Sequence, residues 1–401
     1  MIRDIYLNPV YWLLFVAAMA LGRLAIGYRI LDFKFIICVY LSQYIAHVTL
    51  AFGLSNYLIF CVLFLTTFIF GYRGFEHLPN LVLYRTAARD DVERRLVLMC
   101  KVILLTYYSW RLSSVPIWTG ALDLAARLTL QNDSRAAFFL GIVMLPLFVA
   151  FLFDCVRKGK FGWADWFLII ISGLGALTTG SKITIVPLIL SYIGVGAYLG
   201  RRISLSPWLV VSSGVAGAVI VFTLSNFFPT LSSGEILDLL LYRVVANTDN
   251  IEYLYTLDVT PDQYPFSGAV SFIPFVSKYL GAEIDFPYGV WLHGMRYADW
   301  KGYGPNAGFL IEQYGNLSWG GLFVGLGLGM LVRWAERLRT AFRAMILSFA
   351  YTLLVESTMF FMSFFFCLLI LVLASVMHKL WRPRLVDDEL VEGIRPDASA
   401  V

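Results

Sequence analysis

The chain has little charge for its length. Only 14% of its 401 residues are Asp, Glu, Lys or Arg, whereas soluble domains carry about 25%. Hydrophobic residues make up 59% of the sequence, and the mean hydropathy is +0.74. This composition excludes an ordinary soluble globular protein. The formal net charge of +4 is also too small to indicate a nucleic-acid partner.

Sequence patterns typical of common cofactor sites are missing too. The five cysteines fall in or beside apolar runs, so they do not form the disulfide framework of a secreted domain. The four histidines are scattered without the Cys/His spacing of a zinc site, and no glycine-rich phosphate loop follows a strand. We therefore expect neither a metal nor a cofactor. No internal repeat is evident along the chain.

The chain is instead rich in long apolar runs. A run of about 18 residues can cross a bilayer as a helix, and in lipid the backbone polar groups must be satisfied within that helix. We predict an all-α, polytopic integral membrane protein with about eleven spans. The spans are expected near residues 8–28, 33–52, 55–72, 96–114, 136–156, 164–180, 183–200, 207–225, 317–333, 344–360 and 362–379.

The basic residues predict which loops face the cytoplasm. Cytoplasmic loops carry an excess of Lys and Arg, and most of the basic residues fall in one set of loops, which includes Lys34, Arg73, Arg157 and Arg333. That set is predicted to be cytoplasmic, with the C-terminus inside and the N-terminus outside. The expected parts are an N-terminal bundle (1–225), a large external loop with amphipathic helices (226–316), C-terminal spans (317–380) and a cytoplasmic tail (381–401).

A short turn on the predicted external side carries a lysine. In TTGSKITIVP (178–187), Gly180 permits the turn and Ser181 can cap the next helix, so that Lys182 lies in its first turn. A cation there opposes the helix dipole, and some local gain must offset this cost. An anion site, with the helix N-terminus and the ammonium facing a phosphate, would supply that gain. The alternative is a lysine that reaches out to lipid headgroups.

Arginines of the external regions are further candidates for phosphate binding. Arg243 lies in ILDLLLYRVVANTDNIEYLY, which has the pattern of an amphipathic helix on the outer surface. Arginine suits bidentate phosphate contact, although an ion pair with a neighbouring acid is the alternative. Arg127 lies in the first external region, 115–135, and Arg111 and Arg135 flank it. Each of these three also fits an anchor at the membrane interface.

Two residues outside the Gly302–Gly321 stretch are candidates for acid–base chemistry. His293, in WLHGMRYADW, lies near Arg296 on the external side, and histidine is the commonest general base near neutral pH. A structural histidine in an aromatic loop is the alternative. Glu356 is predicted near the outer end of a span, where a carboxylate is by default a functional hypothesis. Its alternative is an ion pair with one of the arginines.

The stretch GYGPNAGFLIEQYGNLSWGG, from Gly302 to Gly321, combines polar residues with glycine at the start of an apolar span. Pro305 can start a short helix that ends at Gly315 or Asn316 and holds Glu312 near the membrane surface. The pattern predicts a bent, partly re-entrant element that lines a cavity. Glycines are expected to let the following span pack closely on its neighbours: Gly320, Gly321, Gly325, Gly327 and Gly329.

Within this stretch, GPNAGFLIEQYGNLSWGG resembles the GPxxGFxxExYxNxGxxG signature near the C-terminal end of Wzy-type oligosaccharide repeat-unit polymerases, which make bacterial O-antigen and capsule. TTGSK is similar to a turn of the same family, with lysine where arginine is common. The resemblance covers the architecture of residues 1–380. It implies a GT-C-like, metal-independent membrane glycosyltransferase in the bacterial inner membrane, with its active site facing the periplasm.

The resemblance also implies substrates, partners and residue roles. A polyprenyl-diphosphate-linked oligosaccharide donates its glycan to a sugar hydroxyl of a second lipid-linked chain, and a chain-length regulator is a further candidate partner. The expected catalytic residues are His293, Glu312 and Glu356. The expected substrate-binding residues are Lys182, Arg243, Arg127, Arg296 and Asn306.

Two other functions stay open at the level of sequence. An O-antigen ligase has the same architecture but transfers glycan to a lipid A core. A transporter or flippase could use Lys101 and Glu356 in a conduit, although no inverted repeat supports it.

Overall fold

The structure, a computed structural model, describes residues 8–28, 33–74, 88–114, 135–178 and 309–336, with residues 5, 7, 195, 196, 199, 292, 294 and 295 in isolation. In these ranges every regular element is helical, which confirms the predicted all-α class for this part of the chain. The elements are α1 (Pro9–Ile26), α2 (Phe33–Phe52), α3 (Asn56–Gly74), α4 (Ala88–Ser114), α5 (Arg135–Lys158), α6 (Trp163–Leu177), α7 (Phe309–Leu317), a 3-10 turn (Ser318–Gly320) and α8 (Gly321–Glu336).

Three of the described helices have the length and composition of membrane spans. Three segments are long and apolar enough to cross a bilayer: Pro9–Ile26, Asn56–Gly74 and Glu93–Ser114. Large apolar side chains such as Leu24 (79% exposed) and Phe323 (77% exposed) lie on the outer surface, where lipid accommodates them and water would not. The predicted spans 183–200, 207–225, 344–360 and 362–379 lie outside the described residues, so the total of about eleven spans stays a prediction.

Local signals fix the helix ends. Asn8 caps α1, because its side-chain oxygen accepts a hydrogen bond of 2.9 Å from the Val10 amide. Gly53, at φ +60°, separates α2 from α3 near the predicted boundary. The predicted span 96–114 agrees with the membrane-spanning part of α4, Glu93–Ser114, and the helix itself begins earlier, at Ala88. Hydropathy detects only the apolar part of a helix, and the first turns of α4 are polar.

α3 and α8 pack closely through glycine. A Cβ placed on Gly325 would lie 2.7 Å from Thr67 Oγ1, and one placed on Gly329 would lie 2.8 Å from the Tyr72 amide nitrogen. Both distances are shorter than ordinary van der Waals contact, so a side chain would force the helices apart. The packing of two helices far apart in sequence therefore depends on small residues at the interface.

The glycine prediction holds for only part of the set. Gly321 also contacts its neighbours, since an added Cβ would lie 3.0 Å from the Phe60 ring. Among the described residues, nothing lies within 4 Å of a Cβ added to Gly327, and only Leu317 lies near one added to Gly320, so these two glycines make no close contact with a described neighbouring helix. The close contacts of α8 fall at Gly321, Gly325 and Gly329, spaced by about one helical turn, so they share one face of α8.

Basic residues hold several helix ends together. Lys34 and Arg73 donate hydrogen bonds to carbonyl oxygens at the end of α1. Lys34 Nζ and Arg333 Nη1 both donate to Tyr72 Oη, at 3.3 and 3.2 Å. The end of α1, the start of α2 and the ends of α3 and α8 therefore lie together. All three basic residues belong to loops predicted to be cytoplasmic, as one shared side of a membrane requires.

Ion pairs connect α4 to α5. Arg157 Nη1 lies 3.0 Å from Glu93 Oε2, and Arg157 Nη2 lies 3.4 Å from Asp154 Oδ1. Lys158 Nζ completes the group at 2.5 Å from Asp154 Oδ2. The Arg157–Glu93 pair holds the start of α4 against the end of α5, and the two Asp154 contacts lie within α5. The joined segments are again predicted to face the cytoplasm.

A further ion pair connects α4 to α6. Lys101 Nζ lies 2.5 Å from Asp165 Oδ1. The same aspartate accepts a hydrogen bond of 3.0 Å from the Gly162 amide and thereby caps α6. Lys101 thus has a structural partner within the bundle.

Candidate functional site

α7 lies along the first half of α3 and is held there by aromatic contacts. The Phe309 ring centroid is 5.7 Å from that of Phe64, and the Tyr314 ring centroid is 5.1 Å from that of Phe60 and 5.5 Å from that of Tyr57. At 1.5 Å per residue, Phe64 lies roughly 10 Å further into α3 than Tyr57. As α7 proceeds from Phe309 to Tyr314, it therefore moves outward along α3.

The chain then reverses direction. Ser318 has φ +50° at the start of the 3-10 turn, and the Trp319 ring packs 6.2 Å from that of Phe60. α8 starts at Gly321, beside Gln313 and Phe60, and continues inward until Arg333 meets Tyr72.

α7 and α8 therefore form a hairpin whose turn lies near the amino-terminal end of α3. The predicted bend is present, between α7 and α8, while the re-entrant path and the cavity stay predictions. The predicted helix end at Gly315 or Asn316 is wrong, because α7 continues to Leu317. Non-Gly residues rarely adopt a positive φ, so the sequence around Ser318 gave no signal for the position of the turn.

This hairpin buries two adjacent polar side chains. Glu312 is 4% exposed and Gln313 is 0% exposed. Within the described part of the chain, neither Nε2 nor Oε1 of Gln313 has a hydrogen-bond partner. Burial of an amide without a hydrogen-bond partner is costly, and a buried carboxylate in a predicted membrane protein is by default a functional hypothesis. Glu312 thus lies inside the protein, and its predicted level near the membrane surface stays a prediction.

The aromatic neighbours of this pair form a neutral wall. Burial raises the pKa of the Tyr314 phenol above its ordinary value, so the hydroxyl stays protonated at physiological pH. The rings of Tyr314, Phe60 and Trp319 pack together around the end of α7 and limit the movement of this helix. The site thus offers one buried carboxylate and one buried amide on a short, firmly packed helix.

The other predicted site residues lie outside the described residues: His293, Glu356, Lys182, Arg243, Arg127, Arg296 and Asn306. Gln313 was not among the predicted site residues. Its position next to Glu312 in the signature-like stretch is the signal that could have indicated it. Arg111 is also more buried than an interface anchor would be, at 8% exposure.

Among the described side chains, no three of His, Cys, Asp or Glu come together as metal ligands would. No protein-family model matches the chain, and neither a curated protein nor a solved structure matches it. The class supported by the described helices is that of a helical membrane protein. Function must be inferred from the α7 hairpin and the residues that it buries.

Proposed function

We propose that this protein is a membrane glycosyltransferase that polymerises polyprenyl-diphosphate-linked oligosaccharide repeats into a surface polysaccharide, on the outer face of the bacterial inner membrane. The observation that supports it best is the burial of Glu312 and Gln313 on the hairpin of α7 and α8. The stretch that resembles the polymerase signature is the stretch that folds back into the bundle and buries a carboxylate there.

The proposed reaction is a substitution at the anomeric carbon of the donor sugar. A hydroxyl oxygen of the acceptor sugar forms the new bond to that carbon, while the bond from the carbon to the diphosphate oxygen breaks. The carrier diphosphate leaves with the electron pair, and the hydroxyl proton passes to a general base. Cations that face the leaving diphosphate stabilise the charge that develops there; Lys182 and Arg243 are the proposed cations.

Glu312 is the described candidate for the base, alongside His293 and Glu356. A general base must be held within hydrogen-bond reach of the proton that it accepts. The aromatic contacts of α7 restrict the backbone that carries Glu312. Gln313, the next residue of α7, has both a donor and an acceptor, as recognition of sugar hydroxyls requires. In this proposal the Glu312 carboxylate accepts the hydroxyl proton and the Gln313 amide binds a further sugar hydroxyl.

The test is the rate at which purified protein elongates a lipid-linked repeat, with Glu312→Gln as the variant. This change preserves the shape of the side chain and removes its charge. We expect a decrease of about 100-fold or more, the contribution typical of a general base. Gly327→Ala is the control, because this exposed position contacts nothing, and its rate should match that of the unmodified protein. An unimpaired rate in Glu312→Gln would remove Glu312 from the reaction.

The same assay separates the two alternative functions. Transfer to a lipid A core acceptor, with no elongation of lipid-linked repeats, would identify a ligase. Movement of the lipid-linked sugar across the bilayer without a new glycosidic bond would identify a transporter. The partner of Lys101 in the bundle is Asp165, so the described structure favours a structural role for this lysine over a role in a conduit.

A further inference from the structure

Arg111 is a buried cation that has no acidic partner among the described residues. Its Nε is buried and has no hydrogen-bond acceptor within the described part of the chain. The other described cations that are not fully exposed all have polar partners: Lys34, Lys101, Arg157 and Arg333. A guanidinium taken out of water without compensation is strongly unfavourable. The positive charge of Arg111 would therefore be stabilised by a bound anion, and the described residues do not provide one.

Arg111 lies where α4 and α6 end side by side. The two helices run in the same direction, because Lys101 pairs with Asp165 near the start of α6 and Tyr108 contacts Gly175 near its end. Arg111 follows Tyr108 by one turn and lies on the same face of α4. It is therefore level with Thr178, which is the last residue of the described range 135–178 and the first residue of the TTGSK turn.

The local surroundings do not compensate this cation. The last turn of α4 is a favourable place for a positive charge, since the helix dipole is negative there, but the dipole provides no acceptor for Nε. The Trp110 ring centroid is 6.0 Å from the guanidinium carbon, at the limit of a cation–π contact. The Ser172 hydroxyl, on the face of α6 that carries Gly175, is likewise buried without a described hydrogen-bond partner. The seam between α4 and α6 thus holds unused hydrogen-bonding groups.

We propose that Arg111 binds a phosphate-bearing anion at the adjoining ends of α4 and α6. The guanidinium presents a planar fork of donors that matches phosphate oxygens in pairs. The helices α4, α5 and α6 have the ion pairs of Glu93, Arg157 and Lys158 at one end. At the opposite end, Arg111 is the cation among residues whose side chains the structure describes. Identification of the anion as the lipid diphosphate rests on the proposed function; the anion site itself rests on Arg111.

The test is binding without turnover, measured by titration calorimetry on the full-length protein in phosphatidylcholine nanodiscs. The probes are farnesyl diphosphate, inorganic diphosphate and farnesol, which has the chain but no phosphate. We expect farnesyl diphosphate to bind and farnesol not to bind. Arg111→Gln should weaken binding of farnesyl diphosphate about tenfold or more. Arg94→Gln removes an exposed arginine from the other end of the same helix and should leave the affinity unchanged.

Equal affinities in Arg111→Gln and Arg94→Gln would overturn the proposal. If Arg111→Gln does not fold, Arg111→Lys takes its place. A lysine keeps the charge but not the planar fork, so affinity should drop severalfold. An affinity equal to that of the unmodified protein would overturn the guanidinium contact.

The probes also distinguish the source of the phosphate. Competition by phosphatidylglycerol in the nanodisc would identify an ordinary lipid headgroup as the ligand. Tighter binding of farnesyl diphosphate than of inorganic diphosphate, without such competition, would identify a prenyl diphosphate. Diphosphate binding that depends on Arg111 in a protein that never elongates lipid-linked repeats would sustain the anion site while the polymerase proposal fails.

Discussion

The tight packing of α8 on α3 gives a sharp prediction, because it places the α7 hairpin and can be tested with a single added methyl group. In Gly329→Ala, the new Cβ would lie 2.8 Å from the Tyr72 amide nitrogen and would overlap the Phe68 carbonyl oxygen. Ordinary contact begins near 3.5 Å, so the helices must separate by at least about 0.7 Å. Both neighbouring atoms belong to the backbone, and no side-chain rotation can relieve the overlap.

The size of the effect follows from two opposing contributions. Replacement of glycine by alanine favours the helix by about 1 kcal/mol, whereas overpacking costs about 1–3 kcal/mol. Gly327→Ala gains the first contribution without the second, since nothing lies within 4 Å of its added Cβ. We therefore expect Gly329→Ala to unfold more easily than Gly327→Ala by a free energy of about 1–3 kcal/mol.

The assay is reversible unfolding of the purified protein in mixed micelles of mild detergent and dodecyl sulfate, followed by helical circular dichroism. The comparison between the two variants cancels the effect of the alanine itself. If Gly329→Ala and Gly327→Ala unfolded at the same dodecyl sulfate fraction, α8 would not pack on α3 as described. The position of α7 against α3 would then also lose its support.

Two further predictions concern local structure and can be checked in the same unfolding assay. Ser318→Gly should stabilise the protein by up to about 1 kcal/mol, because glycine adopts a positive φ without the steric cost that serine bears; a destabilised variant would contradict this backbone conformation. Lys101→Met should destabilise the protein, and adding Asp165→Asn should recover part of the loss, with a coupling free energy of about 0.5–3 kcal/mol. Additive effects of these two substitutions would mean that the ion pair contributes nothing.

The sequence predicted where the helices lie along the chain better than it predicted which helices pack against each other. The expected span 33–52 coincides with α2, because an apolar run bounded by polar residues and Gly53 marks both ends of a helix. The predicted span 96–114 matches the apolar part of α4, Glu93–Ser114, but not its first turns, which are polar and carry no apolar signal. Hydropathy does not report that α8 packs on α3. This pairing depends on glycine facing backbone across the interface, and glycine on the lipid-facing side, as at Gly327, has the same appearance in the sequence.

The candidate site was predictable only in part, because sequence patterns indicate a bend but not the contacts between elements that are far apart in the chain. The polar character of Glu312 and the turn residues around it indicated a bent element at the mouth of a span. The burial of Glu312 and Gln313 depends on the aromatic contacts of α7 with α3, and these two elements are far apart in sequence. From the sequence alone, Arg111 was consistent with an anchor at the membrane interface, because the sequence does not show which residues surround it. Its burial and the parallel run of α4 and α6 are properties of packing alone.

The most direct test of the proposed function is reconstitution of the purified protein in liposomes with a polyprenyl-diphosphate-linked repeat and no ion gradient. The proposal predicts glycans longer than one repeat, with one polyprenyl diphosphate released for every new glycosidic bond, and far less product with Glu312→Gln. Glycans that stay one repeat long, under conditions in which the protein is folded and the substrate is on the outer leaflet, would contradict it.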